Sequence, residues 1–265
     1  MIPASIVVPG DEIGTGAGFV HGHGTRLEEG TGKLLATASG VTKRVNRVIT
    51  VAPLAARYVG EAGDVVVGRV VATEARRWRV DVHGLKDAVL QLSAVNLEGG
   101  AQRRRTLSDQ LSMRSYAVEG DIVVADVQGV QQDGTLLLHT RSFKFGPVSN
   151  GFSIHVGHEL VPRQTKHFLE VPELETELVL GRNGVIWVGV WISEEEVDAS
   201  LKEDGGDGEG SVREVSAIRL ERKRHLAAAK PLDAKAHTSL AIAGNIVRIL
   251  AATSTPITAK SFHRL

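Results

Sequence analysis

The sequence predicts a mixed β and α+β protein with a small closed β-barrel at its centre. Residues 59–141 contain five short segments rich in valine and leucine, separated by turn residues. Two of these segments open with the same Gly-Asp turn, at Gly63-Asp64 and Gly120-Asp121. Short strands at regular spacing, joined by such turns, are typical of a five-stranded OB barrel. The predicted strands are Gly63–Val70, Arg77–Val82, Ala88–Leu92, Gly120–Val127 and Thr135–Thr140.

Residues 1–58 predict a small N-terminal β domain, because they combine glycine and β-forming residues with little helical periodicity. Alternating segments lie around Leu34–Ala38 and Val45–Val51. The glycine-rich run Gly14–Gly18 fits neither GxGxxG nor GxxxxGK[ST], and no helix is predicted after it. A nucleotide site is therefore not expected here.

Residues 142–265 predict an α+β domain. Phe152–Val156, Glu175–Leu180 and Val185–Trp191 have the composition of strands, and Asn183-Gly184 predicts a hairpin between the last two. An acidic, glycine-rich insertion near 193–212 favours disorder. Helices are expected over Val215–Lys230, along a face formed by Leu240, Ala243, Val247, Leu250 and Ala251, and after Thr255-Pro256.

The composition excludes several kinds of site. Without any cysteine the chain has no disulfide, thiolate zinc site or cysteine nucleophile. His21 and His23 would point to opposite faces of a strand, and no further ligand completes a metal site. No Ser/His/Asp order or HExxH motif occurs. We therefore expect no catalytic residue, metal or cofactor, and no membrane-spanning segment.

Charge is segregated along a chain with 31 basic and 31 acidic residues. Arg69–Arg114 contains nine Lys/Arg against five Asp/Glu, including the triplet Arg103-Arg104-Arg105. A local basic patch can bind a polyanion even on a neutral chain, because counterion release depends on the contacting patch. An ordinary solvated surface is the alternative interpretation.

Trp78 has two interpretations. In the predicted strand Arg77–Val82, Trp78 shares a face with Val80 and Val82, whereas Arg77 and Arg79 lie on the other face. As a binding residue Trp78 would stack on a base, as in other OB folds, beside arginines that contact phosphate. Because its face is shared with two valines, a core position is the favoured interpretation.

Three blocks carry a family resemblance: GDVVVGRVVATEARRWRVDVHG, RRRTLSDQLSMRSYAVEGDIVVADVQG and LVLGRNGVIWVGV. They resemble the cap subunit of the eukaryotic RNA exosome that joins an N-terminal β domain, an OB domain of the ribosomal S-one type and a KH domain, the ribosomal RNA-processing protein four family. The resemblance runs from about Val8 to Trp191 and implies the domains 1–58, 59–141 and 142–265.

The resemblance implies a non-catalytic role. Cap proteins of this family sit on a ring of RNase-PH-like subunits, stabilise it and guide single-stranded RNA into its channel for 3′–5′ processing and degradation, including rRNA processing. The expected partners are the ring subunits, through the N-terminal domain in particular, the other cap subunits and RNA, without a homo-oligomer. The expected locations are nucleus, nucleolus and cytoplasm. The expected RNA-binding residues are Arg76, Arg77, Trp78, Arg103, Arg104 and Arg105.

The chain departs from the KH pattern at one place. A KH clamp uses a GxxG loop between two helices, but Val161–Phe168, where this loop should fall, has no glycine pair. Gly181-Arg182-Asn183-Gly184 matches a GxNG signature of the family, and its flanking strands indicate a structural hairpin. Arg163, Lys166 and Arg182 are candidates for phosphate contacts.

Two other functions are alternatives to a cap subunit. A ribonuclease of the polynucleotide phosphorylase kind requires RNase-PH-like domains and the order KH then OB, whereas this chain has the opposite order and no room for a phosphorolytic core. A free-standing OB/KH protein acting in translation or RNA maturation would bind RNA tightly alone. The missing GxxG loop and the scarcity of aromatic residues argue against it.

Overall fold

A computed structural model describes residues 5–15, 18–53, 56–95, 107–142, 144–203 and 212–262, without the side chains of 202–203 and 212–217. The chain divides into two compact units, 1–56 and 57–265.

The N-terminal unit consists of two small sheets. One has the order β1-β6-β7-β3 and the other β2-β5-β4. Val7, Ala36 and Val51 form its buried core. The prediction of one segment over Val45–Val51 was wrong, because Asn46 adopts a φ of 55° and turns the chain between β6 and β7. Asparagine tolerates this left-handed conformation better than most residues. The strands are β1 Ile6–Val7, β2 Glu12–Thr15, β3 Val20–His21, β4 Thr25–Leu27, β5 Lys33–Ala36, β6 Gly40–Val45 and β7 Val48–Pro53.

The second unit begins with the predicted barrel, whose strands are β8 Val65–Thr73, β9 Arg77–Asp81, β10 Ala88–Val95, β11 Ile122–Val130 and β12 Leu136–Thr140. β8, β9 and β10 form an antiparallel meander. β10 pairs parallel with β12, β12 pairs antiparallel with β11, and β11 returns to β8. This closure leaves no free edge and confirms the five-stranded OB barrel.

Two turns and one glycine explain why this sequence closes the barrel. Gly63 and Gly120 adopt φ values of 85° and 98° in the two Gly-Asp turns, a region that glycine enters without steric cost. A Cβ at Gly68 would lie 2.4 Å from Val80 Cγ1 and 2.9 Å from the Asp81 carbonyl oxygen. The strands β8 and β9 therefore approach closely only because residue 68 lacks a side chain.

The rest of the unit is an α+β region. An antiparallel sheet has the order β14-β17-β16-β15. Short helices α1 Leu107–Leu111 and α2 Met113–Tyr116 precede β11 in the barrel, and β13 Gly146–Val148 pairs with β11. The remaining elements are β14 Gly151–His155, β15 Phe168–Val171, β16 Thr176–Leu180, β17 Val185–Val190, α3 Glu194–Glu203, α4 Val212–Ala229, α5 Ala234–Ala252 and α6 Ala259–Phe262.

The two faces of this sheet bury different partners. Alternate residues of β16 and β17, such as Leu178 and Ile186, pack with Leu240 and Val247 of α5. The opposite face carries Val179, Val185 and Trp187, which form a buried cluster with Val65, Val67 and Val124 of the barrel. Because strand residues alternate between faces, β17 is buried along its whole length.

Two predictions for the C-terminal part need correction. The expected disordered insertion contains α3, which begins after Ser193, whose Oγ accepts a hydrogen bond from the Glu196 amide at 3.2 Å, and which buries Val197. Residues 204–211 of that insertion lie outside the described residues. The last helix begins at Ala259 rather than directly after Thr255-Pro256, because Thr258 and Ser261 exchange side chain to backbone hydrogen bonds at 2.8 and 3.2 Å, a reciprocal cap.

Candidate nucleic-acid interface

Strand β9 presents arginines on the outside of the barrel. Arg77 and Arg79 are exposed, whereas the alternating Trp78 and Val80 are buried. This is the pattern that the pleat of a half-buried strand imposes. The two guanidinium groups therefore lie side by side on one solvent-facing surface.

Trp78 belongs to the barrel core. Its side chain has no exposed surface, its Nε1 donates a hydrogen bond to the Ala117 carbonyl oxygen at 3.1 Å, and its ring lies 5.4 Å from that of Tyr116. The core interpretation is confirmed, and the prediction that Trp78 stacks on RNA was wrong. A base cannot reach this ring without opening the barrel.

The exposed arginines of β9 make ion pairs with neighbouring acidic residues. Arg77 Nε lies 2.5 Å from Glu74, and Arg79 lies 3.1 Å from Asp87. About half of each arginine side chain is exposed, at 54% and 44%. Exposed pairs contribute only about 0–1 kcal/mol, so a phosphate can replace the carboxylate at little cost.

Arg76 lies at the end of the barrel from which β10 leaves. It is exposed, and its carbonyl oxygen accepts a hydrogen bond from the Leu92 amide at 2.9 Å. The connection from β10 to α1 carries Arg103, Arg104 and Arg105, which lie outside the described residues. The structure thus places Arg76 and Arg77 together but does not place the triplet.

The barrel displays further exposed cations, each with a partner. Lys86 lies 3.2 Å from Asp133, Arg114 lies 3.1 Å from Glu119, and Arg69 donates to the Gly120 carbonyl oxygen at 3.0 Å. Hydrogen bonds from the Thr135 amide and hydroxyl, and then Lys86, lower the pKa of Asp133 to about 2. Like the pairs of β9, these are exposed contacts of little energetic weight.

The Gly181–Gly184 hairpin joins the α+β region to the barrel. Asn183 is buried; its Nδ2 donates to the carbonyl oxygens of Val67 at 2.8 Å and Val82 at 2.9 Å, and its Oδ1 accepts from the Val67 amide at 3.3 Å. The Arg182 amide donates to the Val65 carbonyl oxygen at 2.7 Å. One asparagine side chain thus bridges the backbone of β8 and that of the residue following β9.

The comparisons with known proteins agree with this architecture. Residues 57–129 match the family model described as RRP4, S1 domain. The chain is 45% identical over 194 residues to the exosome complex component RRP4 of Bos taurus, covering 73% of this chain and 65% of that protein. It is 42% identical over 185 residues to that of Saccharomyces cerevisiae, covering 70% and 51%.

Residues 57–129 belong to the RRP4 S1-domain family. A third relative, the exosome complex component Rrp4 of Thermococcus kodakarensis, is 28% identical over 235 residues, covering 84% of this chain and 88% of that protein. The chain spans between half and two thirds of the length of the cattle and yeast relatives. The matched S1 domain contains β9 with its exposed arginines.

Two of the candidate phosphate contacts of the α+β region already have partners within the protein. Arg182 donates to the carbonyl oxygens of His158 and Val161 at 3.0 and 2.8 Å. Arg163 lies 3.2 Å from Glu61 and 3.4 Å from Asp64, and it donates to the Ala62 carbonyl oxygen at 2.9 Å. Arg182 therefore braces the hairpin through its carbonyl contacts, whereas Arg163 has these partners with 52% of its side chain exposed to solvent.

A KH-type clamp is not formed where the sequence pattern would place it. Residues 156–167, all of them described, contain only a three-residue 3-10 turn between β14 and β15 instead of a helix pair. This finding agrees with the missing GxxG motif.

The sequence analysis did not predict the hydrogen-bond network around Asp64, which lies at the junction between the barrel and the α+β region. The Tyr58 hydroxyl donates to Asp64 at 2.8 Å, and burial, followed by this hydrogen bond, raises the pKa of Tyr58. Asp64 also accepts from the Glu61 amide at 3.2 Å. The Gly-Asp turn was visible in the sequence, but the long-range partners were not.

Two kinds of feature were not found in the described residues. Within them, no group of three His, Asp or Glu side chains is arranged to hold a metal ion. None of the helices found there is long and apolar enough to cross a membrane.

Proposed function

We propose that this chain is a non-catalytic cap subunit of an RNA exosome, which stabilises a ring of RNase-PH-like subunits and guides single-stranded RNA into its channel for 3′–5′ processing and degradation, including that of rRNA. The observation that carries the proposal is the RRP4 S1 match over 57–129, because this segment holds the exposed arginines of β9. Identities of 42–45% to proteins named exosome complex components support it.

The proposed RNA contacts are electrostatic. Arg76 and Arg77 on the barrel, with Arg103, Arg104 and Arg105 in the β10–α1 connection, would contact phosphates. Such contacts read no base sequence, and their strength falls with salt as counterions are released. A subunit that guides RNAs of any sequence needs this kind of surface, and the burial of Trp78 is consistent with it.

The proposed partners follow from the same assignment. They are the ring subunits, contacted in particular by the N-terminal unit, the other cap subunits and single-stranded RNA, and the proposed locations are nucleus, nucleolus and cytoplasm. The Asn183 junction would keep the barrel and the α+β region in one orientation, which suits a rigid element of a larger particle.

Affinity purification of the tagged full chain from native extract, with mass spectrometry of stoichiometric partners, tests the proposal. We expect RNase-PH-like subunits and other cap proteins. Recovery of the chain alone, or with ribosomes, would contradict the cap assignment and favour a free-standing RNA-binding protein.

A further inference from the structure

A groove of about 720 Å³ opens beside the α+β sheet, on the face that also meets the barrel. Val179 and Trp187 line its floor, and residues of α4 and of the segment before β14 line its walls. This volume lies within the range of about 300–1,000 Å³ that is typical of ligand sites. The groove is separate from the arginine surface of β9, whose residues do not line it.

Two basic-aromatic segments meet at this groove. Lys144 and Phe145 precede β13, and Lys166 and Phe168 lie at the start of β15. The two phenylalanine rings have centroids 6.0 Å apart at an angle of 41°, and both are half-buried. Two segments that lie more than 20 residues apart in the chain thus each contribute one lysine and one phenylalanine to the groove.

The charge of the groove favours an anionic ligand. Its acidic residues Glu170 and Glu177 lie 2.9 and 3.1 Å from the Lys223 ammonium group. Burial acts to lower the pKa of Lys223, but Glu177 and Glu170 outweigh this effect and raise it, so this ion pair persists at neutral pH. Within the described part of the chain, Lys144 and Lys166 have no acidic partner, and both are exposed.

We propose that this groove binds one nucleotide of single-stranded RNA, with the base against Phe145 and Phe168 and the flanking phosphates on Lys144 and Lys166. Aromatic rings next to cations are the usual combination in sequence-tolerant binding of single strands. An acidic peptide would satisfy the lysines but would leave the ring faces without a matching flat partner. The inference rests on the proposed function only for the choice of RNA as the polymer.

Lys166 differs from the two arginines of the α+β region that were also candidates for phosphate contacts. Of the basic residues on the α+β region that were candidates for phosphate contacts, Arg163 and Arg182 hold carbonyl oxygens and carboxylates. Lys166 is exposed and lies on the groove. The groove therefore includes a candidate cation whose charge no carboxylate of the described residues neutralises.

The test measures binding of a fluorescein-labelled oligouridylate RNA to the purified full chain at several salt concentrations. Lys144→Gln with Lys166→Gln should lower the slope of log K against log salt by about 1.4, since each phosphate contact to a single strand contributes about 0.7. Phe168→Leu should weaken binding about tenfold at constant slope, because a stacking face is lost. Lys235→Gln, an exposed lysine on α5 paired with Glu175, is the matched control and should leave both quantities unchanged.

The double lysine variant alters only exposed side chains, so it remains informative if Phe168→Leu perturbs the fold. Unchanged affinity and slope in the lysine variant, or no RNA binding by the wild-type chain, would overturn the groove assignment. Recovery of ring subunits with the same variants is measured in parallel. Recovery of ring subunits by the wild-type chain without groove-dependent binding refutes the inference alone, whereas failure of the wild-type chain to recover them refutes the proposed function as well.

Discussion

Replacing Asn183 with alanine removes the three hydrogen bonds by which its side chain joins the α+β region to the barrel. The buried amide makes three bonds of 2.8, 2.9 and 3.3 Å to the backbone of Val67 and Val82. In Asn183→Ala these backbone groups lose their partners inside a closed interface. Leaving a buried polar group unsatisfied costs about 1–3 kcal/mol. Because some groups regain water or a weaker partner, we expect the free energy of unfolding to fall by about 2–4 kcal/mol in total.

Equilibrium unfolding in urea measures this loss. A fall of that size corresponds to a decrease in Tm of about 5–15 °C for a unit of roughly 200 residues. Amide hydrogen exchange gives a local readout, since the Val67 amide donates to Asn183 and should lose protection first. Asn245→Ala on the exposed face of α5 is the matched control. A loss below about 0.5 kcal/mol, within the range of ordinary surface substitutions, with unchanged exchange at Val67, would refute the reasoning.

Three further outcomes are expected. Trp78→Ala should lower the free energy of unfolding by about 3–5 kcal/mol, as measured by circular dichroism melts, because it leaves a cavity in the barrel core. A Trp78→Phe variant that stays stable and binds RNA with unchanged affinity would confirm that the ring is structural. Arg76→Ala with Arg77→Ala should weaken RNA binding and lower the salt slope by about 0.7 per lost contact, as measured by fluorescence anisotropy; an unchanged slope would contradict the β9 assignment. Burial, and then the charges of His83 and Arg69, lower the pKa of His155. The free energy of unfolding should therefore decline as pH falls below about 6.5, where the unfolded chain binds the proton more readily. Urea titrations of His155→Gln should show a shallower decline with pH, and a pH profile identical to that of the wild type would exclude His155 as its cause.

The barrel was predictable because its signals are local. These signals are the Gly-Asp turns at Gly63 and Gly120 and the alternation of buried and exposed residues around Trp78, each of which depends only on adjacent residues. The observed barrel strands begin and end close to the predicted residues. The edge strand β15 escaped prediction because it is only four residues long, and α3 because its acidic composition favoured disorder more strongly than Ser193 favoured a helix start.

The site was less predictable than the fold. Asn183 was recognised as a turn residue, but its partners lie 116 and 101 positions away in the chain, and no local pattern reveals them. The same holds for the groove, where Phe145 and Phe168 meet only after the sheet has formed. Long-range contacts of single side chains depend on the packing of whole elements, which a sequence pattern does not specify.

Under the proposed function, RNA passes over the arginine surface of this S1 domain in an assembled exosome. Ultraviolet crosslinking of a 4-thiouridine-labelled RNA to the assembly purified through this chain, with the crosslinked peptides mapped by mass spectrometry, tests it most directly. We expect crosslinks within residues 76–105 that disappear at high salt. RNA bound by the assembly without any crosslink to residues 57–129 would contradict it.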